Sequence, residues 1–219
     1  MKRLQVDSIR KSYHQKLLLS DIYLSCEQGE VIGLLGRNGS GKSTLLRIIF
    51  GEEKAENKFV KVQDRIIKNV RDSRHLINYL PQKNFVPGAL TIKTLISLFI
   101  SEEKRKTFRE ETFIEPYLQQ KFRHLSGGEK RMIEIMLLLY SEADFILLDE
   151  PFEGISPITK ELIIANLEKV KPSKGYIITD HDYENVMKVA DRILLLQNGT
   201  LKEIKSRKDL ERFGYVTGL

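Results

Sequence analysis

A single cysteine, Cys26, stands in the 219 residues, so no internal disulfide can form and a reducing compartment is expected. The four histidines are scattered without metal-ligand spacing, and no zinc site is expected. No stretch approaches the roughly 20 consecutive apolar residues that span a bilayer. The opening MKRLQVDSIRKSY lacks the apolar run of a signal peptide, so the chain is expected to stay in the cytoplasm. Internal repeats, low-complexity tracts and long heptad runs are missing as well. The net charge of +6 comes without a basic stripe: Lys and Arg alternate with acids, as in SEEKRKTFREE, and no nucleic-acid partner is expected.

What is present is an ordinary soluble composition, 41% hydrophobic and 30% charged, long enough to bury a sizeable core. LQVDSI and LLLSDIYLSC flank a polar link and predict an antiparallel hairpin. VIGLL, FILLD, GYIITD and RILLLQ are apolar runs of the kind buried on both faces of a parallel sheet, and helical patterns alternate with them. From about residue 85 to 140 the pattern is helical, and QNGT near the C-terminus is an Asn-Gly hairpin turn. The expected fold is α/β, with a mostly parallel core sheet, an N-terminal antiparallel β subdomain and an inserted α-helical subdomain. It is expected to form one domain over 1–219, with the core at about 1–84 and 141–219 and the helical subdomain at about 85–140.

GRNGSGKS follows VIGLL directly and precedes the helix-like TLLRIIF. Gly36, Gly41, Lys42 and Ser43 match G-x-x-x-x-G-K-[ST], a loop whose glycines turn successive backbone N–H groups toward phosphate oxygens at a helix N-terminus. Lys42 is expected to reach the β- and γ-phosphates and the Ser43 hydroxyl to bind Mg²⁺. Asn38, Gly39, Ser40 and Thr44 complete the expected nucleotide-contacting set, and with this loop the expected α/β core is a P-loop NTPase core. Asp149 closes the apolar run FILLD, where open α/β sheets carry ligand groups, and is expected to hold Mg²⁺ through water. Glu150 beside it is expected to accept a proton from an attacking water.

HLSGGEKRM contains the capping box Ser126 to Glu129. A capping box leaves Gly127 and Gly128 unexplained, since each glycine weakens a helix by about 1 kcal/mol relative to Ala. Bare glycines at a helix start suit the close approach of an anion. With this segment the order of motifs resembles the nucleotide-binding subunit of ATP-binding cassette (ABC) transporters over nearly the whole chain: the phosphate loop, Gln82 in LPQKN, LSGGE, FILLDE, and His181 in ITDHD. The resemblance implies ATP as the nucleotide. It also implies that Ser126, Gly127, Gly128 and Glu129 bind the ATP held by a second subunit, giving a dimer, likewise expected to be a homodimer. Tyr13 matches the residue that stacks on adenine, Gln82 the residue that senses Mg²⁺ and the attacking water, and His181 the residue that contacts the γ-phosphate and supports Glu150.

After DEP the family usually carries an Asp just before a Pro, where this chain has Ser156. Ser hydrogen-bonds but carries no charge, so communication between paired sites and the hydrolysis rate are expected to differ. FVPGALTI offers two readings, a permease-docking surface beside the Gln82 loop or a part of the core. The function implied is ATP-driven transport through separate permease subunits, with the chain peripheral on the inner face of the membrane. The alternative is a soluble cassette ATPase acting on ribosomes or translation, although such relatives generally carry two cassettes where this chain has one phosphate loop.

Overall fold

The structure is a computed structural model describing residues 1–180 and 183–216. The chain opens with the expected hairpin, β1 (Arg3–Tyr13) and β2 (Lys16–Glu27), paired antiparallel with register shifts along β1. Its inward residues Leu4, Val6, Ile22 and Leu24 are buried while intervening residues reach solvent, the period-2 alternation of a sheet covered on one face. Cys26 is buried on β2, its Sγ 3.6 Å from the Tyr176 carbonyl, and burial pushes its thiol pKa up.

β3 (Val31–Leu35) is buried at every position and runs straight into the phosphate loop and α1 (Lys42–Phe50). The next elements, β4 (Asn57–Val62), β5 (Arg65–Ile66), α2 (Val70–Ser73) and β6 (Ile77–Leu80), are not predicted from the sequence. β4 pairs with β1 and extends the hairpin into a four-stranded sheet, β2-β1-β4-β5. The chain then turns helical: α3 (Ile92–Phe99), α4 (Glu102–Thr112), a 3-10 turn over Phe122–His124, and α5 (Gly127–Tyr140). It returns through β7 (Phe145–Asp149), α6 (Pro157–Val170), β8 (Gly175–Thr179), α7 (Tyr183–Val189), the hairpin β9 (Arg192–Gln197) and β10 (Thr200–Ile204), and α8 (Arg207–Arg212). Asn198 and Gly199 both take positive φ at the hairpin turn, as an Asn-Gly turn requires.

The second sheet has the order β10-β9-β3-β8-β7-β6, all parallel except the β9–β10 hairpin. One buried cluster joins the antiparallel sheet and α1 to one face of this parallel sheet, while a second packs α3, α5 and α6 on the other. Two hydrophobic layers hold β3, β7 and β8 rigidly between them, with their C-terminal ends side by side. Gly33 in β3 lies under α7: a Cβ there would meet Val186 Cγ1 at 2.3 Å and Ala190 Cβ at 3.1 Å.

Candidate active site

The phosphate loop leaves the C-terminal end of β3 in conformations that require glycine: Gly39 has φ +78° and Gly41, which caps α1, has φ +107°. No acidic residue lies in the first turn of α1, so the positive end of its dipole is not neutralised from within. Lys42 is 6% exposed, and its Nζ donates to the carbonyl of Gly36 at 2.7 Å, bridging the loop on itself. Burial pushes its pKa down, and the charges of Glu150, Asp149 and Asp180 act against that. The ammonium is thus held buried against the loop's own carbonyl, within the cleft that the phosphate loop lines.

A cleft of about 360 Å³ opens here, and its walls include Asn38, Gly39, Gly41, Lys42, Ser43, Thr44, Gln82 and Glu150. The fold thus brings the loop together with two residues more than 30 positions downstream. Leu18 of β2 adds an apolar wall. Ser40 lines a neighbouring cavity behind the loop, and Gly36 is crowded by Ser40 and the Leu196 carbonyl. Tyr13, at the end of β1, is partly exposed with the Lys11 Nζ 4.6 Å from its ring centroid, and it is not among the residues lining this cleft.

Asp149 is 1% exposed at the end of β7. Its Oδ2 accepts from the Tyr79 hydroxyl at 3.0 Å and its Oδ1 from Thr179 Oγ1 at 2.7 Å. Burial, and then the Asp149 carboxylate, raise the Tyr79 hydroxyl pKa, which keeps Tyr79 a donor. Asp149 is thus fixed in orientation with lone pairs remaining, as a carboxylate offers about four acceptor sites. Glu150 takes φ +50°, a left-handed conformation uncommon outside glycine. Its N–H is held by the Thr179 carbonyl at 3.0 Å and by Thr179 Oγ1 at 3.1 Å.

Ser126 to Glu129 lie away from this cleft, at the exposed start of α5. The capping box is present in both directions: Glu129 Oε2 accepts from the Ser126 N–H at 2.8 Å, and the Ser126 hydroxyl accepts from the Glu129 N–H at 3.3 Å. A Cβ added at Gly127 would meet nothing within 4 Å, so packing among the described residues does not explain the glycine. Ser156 caps α6, its Oγ accepting from the Thr159 N–H at 3.2 Å. In the FVPGALTI stretch, Val86 is buried and Phe85 and Leu90 pack against the same core, so the core reading holds for these side chains. His181 lies outside the described residues.

Residues 19–153 match the family described as ABC transporter. The chain is 31% identical over 215 residues to the "Lipopolysaccharide export system ATP-binding protein LptB" of Escherichia coli, covering 92% of this chain and 89% of that protein. This chain belongs to the ABC transporter family. A "Probable ABC transporter ATP-binding protein" of Azorhizobium caulinodans is 34% identical over 208 residues, 88% of this chain and 73% of its own length. Among solved structures, a nucleotide-free ATP-binding cassette from an ABC transporter superposes with a TM-score of 0.82 at 22% identity, over 99% of this chain and 96% of its own. At that identity the likeness shows the fold, and it is the ABC ATPase fold that the sequence predicts.

Several residues that hold the cleft's side chains and loops in place are not singled out by the sequence analysis: Tyr79 and Thr179, which hold Asp149, and Arg131 and Glu134 of α5. Arg131 Nη2 donates to the carbonyls of Asp149 and Glu150, the latter at 3.0 Å. Charged residues inside the apolar run RMIEIMLLLY are the signal that could have found the last pair. Among the described residues no cluster of three or more His, Cys, Asp or Glu could hold a metal ion. The oxygens of Ser43 and Gln82 in the cleft wall suit a hard cation such as Mg²⁺, which takes one or two protein oxygens and completes its shell with water and substrate phosphates, while Asp149 is not among the residues lining this cleft.

Proposed function

We propose that this chain is the ATP-hydrolysing subunit of an ABC transporter, working as a single cassette domain with its core at about 1–84 and 141–219 and its helical subdomain at about 85–140. It is peripheral on the cytoplasmic face of a membrane. No helix among the described residues is long and apolar enough to cross one, and the transmembrane permease is proposed as a separate partner. One observation carries the reading: the cleft gathers the phosphate loop, Gln82 and Glu150, while the LSGGE segment starts α5 outside that cleft with Gly127 open to solvent. The first half binds and hydrolyses a nucleoside triphosphate, and the second waits for a nucleotide held by another copy.

In this mechanism the loop amides of Gly39 to Ser43 and the α1 dipole receive the β- and γ-phosphates. Lys42 exchanges its bond to the Gly36 carbonyl for phosphate oxygens, so the charge held in place before binding needs little reorganisation. Ser43 and Gln82 would hold Mg²⁺ directly and Asp149 through water; the ion, when bound, neutralises charge on the phosphates. Glu150 orients the attacking water and takes its proton, with His181 supporting it at the γ-phosphate. Tyr13 stacks on adenine after shifting from Lys11. Ser126, Gly127, Gly128 and Glu129 close over the γ-phosphate of the partner copy's ATP, so that hydrolysis reopens a symmetric homodimer and moves the permease.

The test uses tagged Glu150→Gln chain expressed in its native host and solubilised in mild detergent with ATP and Mg²⁺. The expected result is an ATP-dependent dimer that co-purifies with a polytopic membrane protein. Recovery with ribosomal proteins instead would replace transport by the soluble cassette reading.

A further inference from the structure

Helix α5 carries two buried charges one turn apart, Arg131 at 6% exposure and Glu134 at 0%. Arg131 Nη1 donates to the carbonyl of Pro81 at 2.5 Å, immediately before Gln82. Glu134 Oε1 accepts from the N–H groups of Phe85 at 2.8 Å and Val86 at 3.1 Å, just after the same loop. Gln82, Lys83 and Asn84 are therefore bracketed by one helix. The other guanidinium nitrogen of Arg131 reaches the Asp149 and Glu150 carbonyls, so Glu150 is pinned from both sides: its carbonyl by Arg131, its N–H by Thr179.

Stability alone gives a poor account of this pair. A carboxylate without solvent contact loses hydration that a few hydrogen bonds only partly replace, and Glu134 Oε2 has no hydrogen-bond partner among the described residues. Burial raises the Glu134 pKa and lowers that of Arg131, so burial works against the charged form of each, where an apolar side chain would pack more cheaply. The same helix begins at the LSGGE glycines. A rigid rod whose first turn meets the partner's nucleotide thus also holds the two cleft residues, Gln82 and Glu150, that face the nucleotide of its own chain.

We propose that Arg131 and Glu134 are positioning residues that tie the start of α5 to Gln82 and Glu150, so that closure on the partner's ATP sets the geometry of hydrolysis in the chain's own cleft. This rests on the ATPase reading above. The bonds are to backbone, which makes them independent of side-chain identity in the loop, and they lie at both loop ends, so a shift or rotation of α5 moves Gln82 as a unit with Glu150. A misplacement of about 1 Å in such a site costs on the order of a hundredfold in rate.

The experiment compares Arg131→Met, Arg131→Lys, Glu134→Leu and Glu134→Gln in the full chain. The measurements are kcat and KM for ATP, affinity for a fluorescent ATP analogue, and amide exchange at Phe85 and Val86. Arg131→Met and Glu134→Leu are expected to lower kcat by about tenfold or more while analogue affinity stays within about threefold, the split that marks a lost transition-state arrangement. Glu134→Gln, which keeps an acceptor oxygen for the two N–H groups, is expected to recover kcat to within about threefold. Exchange at Phe85 and Val86 is expected to accelerate about tenfold or more in Glu134→Leu and not in Glu134→Gln.

A kcat within about twofold of wild type in both Arg131→Met and Glu134→Leu would overturn the proposal, as would a Glu134→Gln chain no better than Glu134→Leu. Where those two variants are too unstable to bind the analogue, Arg131→Lys decides: one ammonium cannot serve the Pro81 and Glu150 carbonyls together, so unchanged kcat sinks the idea and reduced kcat upholds it. A wild-type chain that hydrolyses no ATP would sink the ATPase reading instead. Amide exchange needs no turnover, and in that case unchanged exchange in Glu134→Leu overturns the bracket while faster exchange upholds it.

Discussion

Gly33 shows how tightly the residues beneath the cleft are set. A methyl there would stand 2.3 Å from Val186 Cγ1 and 3.1 Å from Ala190 Cβ, so α7 must shift or β3 must bend. Overpacking of this kind costs about 1–3 kcal/mol, and Gly33→Ala is expected to lower the melting temperature by about 3–10 °C for a chain of this size, measured by calorimetry. Because β3 leads directly into the phosphate loop, the same variant is expected to weaken nucleotide binding, whereas an unchanged melting temperature would mean that α7 yields freely. Asp149 illustrates the opposite kind of constraint. Its two oxygens are held by hydroxyls from Tyr79 and Thr179, partners that fix a carboxylate's direction without neutralising its charge.

At the scale of elements, the start of α5 carries a pH dependence of known sign. The Ser126 hydroxyl and N–H both donate to Glu129, and these bonds hold its carboxyl below the ordinary range. A depressed folded pKa means that the stabilisation is complete above the unfolded value, about 4.3, and is lost as pH falls through the folded one. Glu129→Gln is expected to lower the melting temperature by about 1–3 °C at neutral pH, with the difference from wild type vanishing as pH falls through the lowered folded pKa. A difference that stays constant with pH would remove the charge from the cap. The capping box was legible because its partners are three residues apart, and β3, β7, β8 and β9 were legible because burial on both faces leaves continuous apolar runs. β4 was not, since NKFVKV mixes lysines into the outer positions of a sheet with one wet face, and β6 is only four residues, INYL. The long-range partners of the site were hidden for a different reason. Tyr79 and Asp149 are 70 positions apart and Thr179 and Asp149 are 30, so no local pattern links them, and only the strand order β8-β7-β6 makes them neighbours.

For the whole molecule, the proposed dimer rests on the separation between the cleft and the exposed LSGGE helix start. Ser126→Arg places a long cation where a second copy's nucleotide would enter, and it leaves the chain's own cleft untouched. In a Glu150→Gln background it is expected to bind ATP within about threefold of the parent affinity and to remain monomeric by light scattering. ATP-dependent dimers of the double variant would contradict a site shared between chains. Ser156, the cap of α6, stands next to Ile158, which is 81% exposed. The buried Cys26 gives this surface an unexpected use. Its thiol is closed off from solvent and kept protonated by burial, so maleimide and nitroxide reagents have nothing to react with in the native chain. Ile158→Cys would then carry the one spectroscopic label in each copy, and the spacing between two such labels could be followed as nucleotide is added, with the unmodified protein serving as its own blank.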